Sequence, residues 1–148
     1  MPIPSLITLA LCTLPLVVTD IREHRLPNRW NLALALGGVT GQLIRSIHGH
    51  TLLPLRGAVL AGLVGLIVMV VLQLLSCGGL GMGDVKLVGA LGLAVGDMLA
   101  VGAIVVLAFL TAAVWASVQL LIRRYHRGTR LAFGPFILLA AWVVVALP

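Results

Sequence analysis

With 61% of its 148 residues hydrophobic and only 9% charged, this chain has too little polar surface for a water-soluble domain, where roughly 25% of residues carry charge. Its length is consumed by apolar segments and short connections, which excludes a sizeable soluble domain beside them. The net charge of +6 fits the loops of a multi-pass membrane protein rather than a nucleic-acid surface.

In chain order, the first apolar segment runs from Ile3 to Thr19. It lacks the basic start of a secretory leader and reads as a retained span. Cys12, like Cys77 further on, lies in an apolar stretch with no CxxC partner; both read as packed membrane cysteines. Asp20 ends this run and opens the polar stretch Asp20-Ile21-Arg22-Glu23-His24-Arg25-Leu26-Pro27-Asn28-Arg29. Pro27 and Asn28 stop that loop and restart a helix. Glu23 and His24 read as solvated loop residues, because no second ligand stands at helical spacing to hold a metal.

The second segment, Trp30 to Ile44, leads to an outer loop carrying His48 and His50. The third runs from Leu55 to Leu75, and no charged residue occurs from Gly57 to Gly83. Asp84 then appears in the string Gly81-Met82-Gly83-Asp84. An ionisable group at membrane depth is costly and marks a pathway, relay or catalytic centre. Gly81 and Gly83 lack Cβ atoms, which would permit strained backbone angles and close approach of a substrate strand; the plainer reading is a loop with Asp84 capping the next helix.

The fourth segment, Val85 to Gly96, is short, and Gly89, Gly92 and Gly96 make it a poor autonomous helix. The same small residues suit close helix packing, so it is either a short buried helix or a re-entrant element. Lys86 reads as snorkelling to the interface or touching substrate. Asp97 is expected to cap the fifth segment, Met98 to Ile122. The run Arg123 to Arg130 reads as a topology signal, with His126 solvated within it. The sixth segment, Leu131 to Leu147, opens with Phe133-Gly134-Pro135-Phe136, a candidate wall for a site on the aspartate side.

These six segments predict an all-α, polytopic membrane helical bundle with residues 1–148 as one integral-membrane domain. Six crossings place Arg22, Arg25, Arg29, Lys86, Arg123, Arg124, Arg127 and Arg130 on one face and leave Arg45 and Arg56 on the other. The basic face is then cytoplasmic, both chain ends lie outside, and Asp20 and Asp84 share the cytoplasmic side. Two carboxyls in one site cannot both ionise cheaply, so one is left to activate water while the other polarises a carbonyl. That division of roles is the chemistry of an aspartyl protease working at the bilayer.

Three motifs in order resemble those of the type IV prepilin peptidases: Asp20 with Leu26-Pro27-Asn28, then Gly81-Met82-Gly83-Asp84-Val85-Lys86-Leu87, then Phe133-Gly134-Pro135-Phe136. The resemblance implies Asp20 and Asp84 as the catalytic pair. It implies Gly81, Gly83, Lys86, Pro27, Asn28, Phe133, Gly134 and Pro135 as supporting or substrate-binding residues, with no metal and no cofactor. The implied partners are a prepilin or pilin-like precursor, with a short basic leader before an apolar helix, and the lipid bilayer. No nucleic-acid partner is implied, and the oligomeric state stays open. Larger members carry an insertion with CxxC pairs and methylate the new N-terminus. This chain has neither, so methyl transfer is not expected, and the form is similar to the stand-alone peptidases of tight-adherence pili. Presenilin-like proteases share the Gly-x-Gly-Asp string, but Thr19 stands before Asp20 where they usually have Tyr. An archaeal preflagellin-type peptidase has the same chemistry with a different client. A small proton-coupled carrier also uses buried carboxylates, yet no inverted repeat is present to support it.

Overall fold

A computed structural model describes residues 1–23, 26–76, 80–122 and 132–146. Six α-helices and no strands occur among them: α1 (Ile3–Glu23), α2 (Asn28–His48), α3 (Leu53–Leu75), α4 (Met82–Val95), α5 (Met98–Leu121) and α6 (Gly134–Ala146). The all-helical bundle expected from sequence is what forms. His24, Arg25, Cys77, the Arg123–Arg130 run with His126, and the ends Leu131 and Leu147 of the sixth segment lie outside the described residues.

Three helices, α1, α3 and α5, are long and apolar enough to cross a membrane. Their outward faces carry large bare side chains such as Leu14, Leu74 and Leu121, a surface that suits lipid and not water. By helix rise, the 14 residues of α4 and the 13 of α6 extend about 20 Å, against about 30 Å of bilayer hydrocarbon.

Contacts run α1–α2, α2–α3, α3–α5, α5–α6 and α6–α1, closing a ring of five helices. Helix α4 packs inside it against α2, α3, α5 and α6. Most of its residues are buried, including Val85, Leu87, Val88, Ala90, Leu91 and Ala94. The short fourth segment is therefore the central helix.

Small residues make this possible. The buried stripe of α3 is Ala58, Ala61, Gly62, Gly65 and Met69, a helical spacing that turns a nearly smooth face toward α4. A Cβ on Gly92 would sit 2.6 Å from the Ala61 carbonyl oxygen and the Gly62 Cα, well inside van der Waals contact. Dispersion between closely approaching backbones is the main source of helix association in lipid, and α3–α4 is the broadest contact in the bundle. Gly96 ends α4 with φ +77°, the left-handed cap that glycine adopts without strain. Asp97 then starts α5 as expected, its Oδ1 accepting the Leu99 N–H at 3.0 Å.

Candidate active site

Helix α1 buries Ser5, Leu9, Cys12, Leu16 and Asp20. These positions fall on one helical stripe, so the face that packs the core also carries Asp20 inward. The sequence expectation ended the helix at Thr19; instead α1 continues to Glu23. Asp20 and Glu23 are thus helical, and Asp20 is 5% exposed. Its Oδ2 accepts the Gly134 N–H at 2.8 Å. Gly134 opens α6, where the first N–H groups have no intrahelical partner, so Asp20 satisfies an orphan donor of the neighbouring helix. A Cβ at Gly134 would lie 2.7 Å from that same oxygen.

Asp84 is 7% exposed and stands in the first turn of α4. Its Oδ2 accepts the Gly81 N–H at 3.3 Å, the reach-back half of a capping box. A carboxyl here also faces the positive end of the helix dipole. The expectation that Asp84 itself precedes the helix as its cap is corrected: the cap is Gly81, and Asp84 is already inside.

The strained backbone angles expected of the glycines are corrected too. Gly81 has φ −77° and ψ 141°, which any residue adopts, and among the described residues Gly96 is the only glycine with positive φ. Neither Gly81 nor Gly83 is strained. Gly83 is needed for space instead, since a Cβ there would meet the Leu26 Cβ at 2.8 Å. Its absence lets the segment after α1 lie directly on the first turn of α4.

Asp20 and Asp84, far apart in sequence, line one cavity of about 290 Å³ with Leu26, Asn28, Gly81, Met82, Gly83 and Lys86. At the rim, Lys86 Nζ donates to Asn28 Oδ1 at 3.1 Å, so Lys86 is exposed as expected but not solitary. Pro27, Phe133 and Pro135 do not line this cavity. Pro27 is the residue before α2, Phe133 packs against the Phe109 ring with centroids 4.8 Å apart, and Pro135 lies in the first turn of α6, where a missing N–H costs nothing. Of that third motif, Gly134 alone bonds an aspartate. Among the described residues, no three His, Cys, Asp or Glu side chains converge as a cation site.

Two residues that sequence reasoning missed hold α4 in place. Asn31 Nδ2 donates to the Gly83 carbonyl at 3.2 Å, and Gln42 Nε2 donates to the Ala94 carbonyl at 3.0 Å. Both are buried. They lie on α2 and grip the two ends of α4, fixing its height along the bundle and with it the depth of Asp84. Their available signal was small: isolated amides in an otherwise apolar segment.

Residues 7–117 match the type IV leader peptidase family. A prepilin leader peptidase/N-methyltransferase of Xanthomonas campestris pv. campestris is 29% identical over 130 residues, covering 84% of this chain and 43% of that protein. Its counterpart in Aeromonas salmonicida is 30% identical over 135 residues, covering 88% and 44%. That of Aeromonas hydrophila is 28% identical over 135 residues. The chain thus spans less than half the length of the curated relatives it matches. No solved structure matches it.

Proposed function

The chain belongs to the type IV leader peptidase family, and from that premise we propose that it is a membrane aspartyl endopeptidase. It removes the short basic leader from a prepilin or pilin-like precursor. The observation that carries this reading is the meeting of Asp20 and Asp84 in one cavity at the end of an apolar bundle.

In the proposed mechanism the two carboxyls share one proton, because two like charges in one small cavity cannot both persist cheaply. The ionised carboxylate takes a proton from water, whose oxygen attacks the scissile carbonyl carbon. The protonated partner donates to the carbonyl oxygen as the tetrahedral intermediate forms. Collapse of that intermediate breaks the C–N bond: the departing amine receives the proton that the first carboxyl took from water, one hydroxyl of the intermediate returns its proton to the second, and the pair is left with one proton again. Backbone donors at Gly134 and Gly81 hold one oxygen of each aspartate, so the pair is oriented before substrate arrives, which lowers the barrier most when the geometry is fixed in advance.

The excess of basic residues in the first, third and fifth connections of the sequence favours a cytoplasmic site with both ends of the chain outside. Prepilin or pilin-like precursors are the expected partners.

The test is co-expression with a candidate precursor, following processing on a gel and sequencing the new N-terminus. Wild type is compared with Asp20→Ala and Asp84→Ala at matched membrane levels. Cleavage after the basic leader that each substitution abolishes is the expected result. Cleavage surviving both removes the mechanism.

A further inference from the structure

A second cavity, of about 480 Å³, lies between α2, α3 and α4. Apart from Asn28, Asn31 and Lys86, its lining is aliphatic or glycine. Along α4 it extends from Lys86 to Leu93, about 10 Å or two helical turns. Asn28 and Lys86 line both this groove and the cavity that holds the aspartates. The two hollows therefore meet at the Lys86–Asn28 hydrogen bond.

We infer that this groove seats the apolar segment following the scissile bond of the substrate, whose backbone crosses the Asn28–Lys86 pair to reach Asp20 and Asp84. The inference rests on the peptidase reading and adds where the substrate lies. Three observations favour a polypeptide over a lipid chain. The groove shares Asn28 and Lys86 with the cavity that holds the carboxyls, and an acyl chain has no reason to approach a polar site. Polarity also changes along it, from aliphatic at Leu93 to amide and ammonium at the threshold, matching a chain that is apolar on one side of the cut and polar on the other. Finally, Asn31 lines the groove beside that threshold, and its Oδ1 is buried with no hydrogen-bond partner among the described residues. A peptide being cleaved must leave its helical state locally, freeing N–H groups that need acceptors at membrane depth; a hydrocarbon tail brings no donor at all.

The groove is also open sideways. Val59 and Leu63, on its α3 edge, are 44% and 52% exposed on the surface that faces lipid. A membrane-embedded helix enters from the bilayer plane without leaving it, laying one apolar face into the groove.

The test places a photo-crosslinking amino acid at Val59 or Leu63, and at Leu110 on the outward face of α5 as a reference position, in full-length enzyme carrying Asp84→Asn to hold uncleaved precursor. Illumination of membranes containing the precursor is expected to give enzyme–precursor adducts from positions 59 and 63 well above position 110, mapping within the apolar segment after the cleavage point. In otherwise wild-type enzyme, Leu63→Trp should raise the KM for precursor about tenfold, with a smaller change in kcat, because it removes binding shared by ground and transition states; Leu110→Trp should leave both unchanged. Equal adducts from all three positions, phospholipid adducts alone at 59 and 63, or an unchanged KM in Leu63→Trp would overturn the groove assignment while cleavage by wild type leaves the peptidase reading standing. If wild type does not cleave the precursor, it is the peptidase reading that fails.

Discussion

Replacing Gly134 by alanine perturbs the candidate site by one methyl group and nothing else. The added Cβ would lie 2.7 Å from Asp20 Oδ2 and 3.2 Å from the Leu26 side chain. Relief of the first contact needs a shift of about 0.5 Å or more, given the usual range of non-bonded separations. A shift of that size at the Asp20 carboxyl relieves the contact without moving either backbone, so the fold survives, but the 2.8 Å bond from the Gly134 N–H does not keep its geometry. A hydrogen bond to a charged group contributes about 1.5–3 kcal/mol, and about 1.4 kcal/mol is tenfold in rate. Gly134→Ala is therefore expected to lower the cleavage rate about 10- to 100-fold. Gly102→Ala on α5 is the control, because nothing lies within 4 Å of its Cβ position. The assay is the time course of precursor processing by purified enzyme in nanodiscs, with thermal unfolding measured in parallel. Activity within twofold of wild type in Gly134→Ala would refute the argument, as would a loss of activity that merely tracks loss of folded protein.

Gly92→Leu should prevent α3 and α4 from closing and leave little folded protein in the membrane, because the side chain would be driven into the Ala61 and Gly62 backbone; trypsin sensitivity of membrane fractions measures this. Gln42→Leu removes the donor to the Ala94 carbonyl and should cost about 1–3 kcal/mol, read as a lower unfolding temperature in nanodiscs with the cleavage-site choice unchanged. A pair sharing one proton is active only when singly protonated, so kcat/KM against pH should be bell-shaped, with both limbs belonging to the pair and not to either residue alone. Profiles measured over the range where the enzyme stays folded would show a single sigmoid if only one carboxyl takes part.

Much of this was legible from the residues. The six segments and the two aspartates stand out because charge is so scarce between them, and the close packing of α4 could be read from Gly89 and Gly92. The helix boundaries could not. Asp20 and Gly83 lie inside helices because tertiary partners, the Gly134 N–H and the Leu26 segment, reward those placements. Nor could periodicity tell which face of α1, α3 or α5 turns inward: in lipid both faces are apolar, so the contrast that marks a helix in water is missing. Small residues carry that information instead, as on α3. Asn31 and Gln42 went unread because a single amide in a span has no motif. Their meaning lies in a register visible only in three dimensions, each donating to a residue 52 positions later.

That shared register bears on how the protein meets different membranes. A spanning helix adjusts to bilayer thickness by tilting or by deforming the lipid around it, and its end groups ride up or down accordingly. Helix α4 is sheltered from this, being enclosed by the ring and hung at both ends from α2. Hydrophobic mismatch is absorbed by the outer helices, while the carboxyl of Asp84 keeps its place relative to Asp20. Cleavage should then vary little between bilayers of shorter and longer acyl chains, and a Gln42→Leu enzyme, suspended at one end only, should acquire a thickness optimum that the native protein lacks.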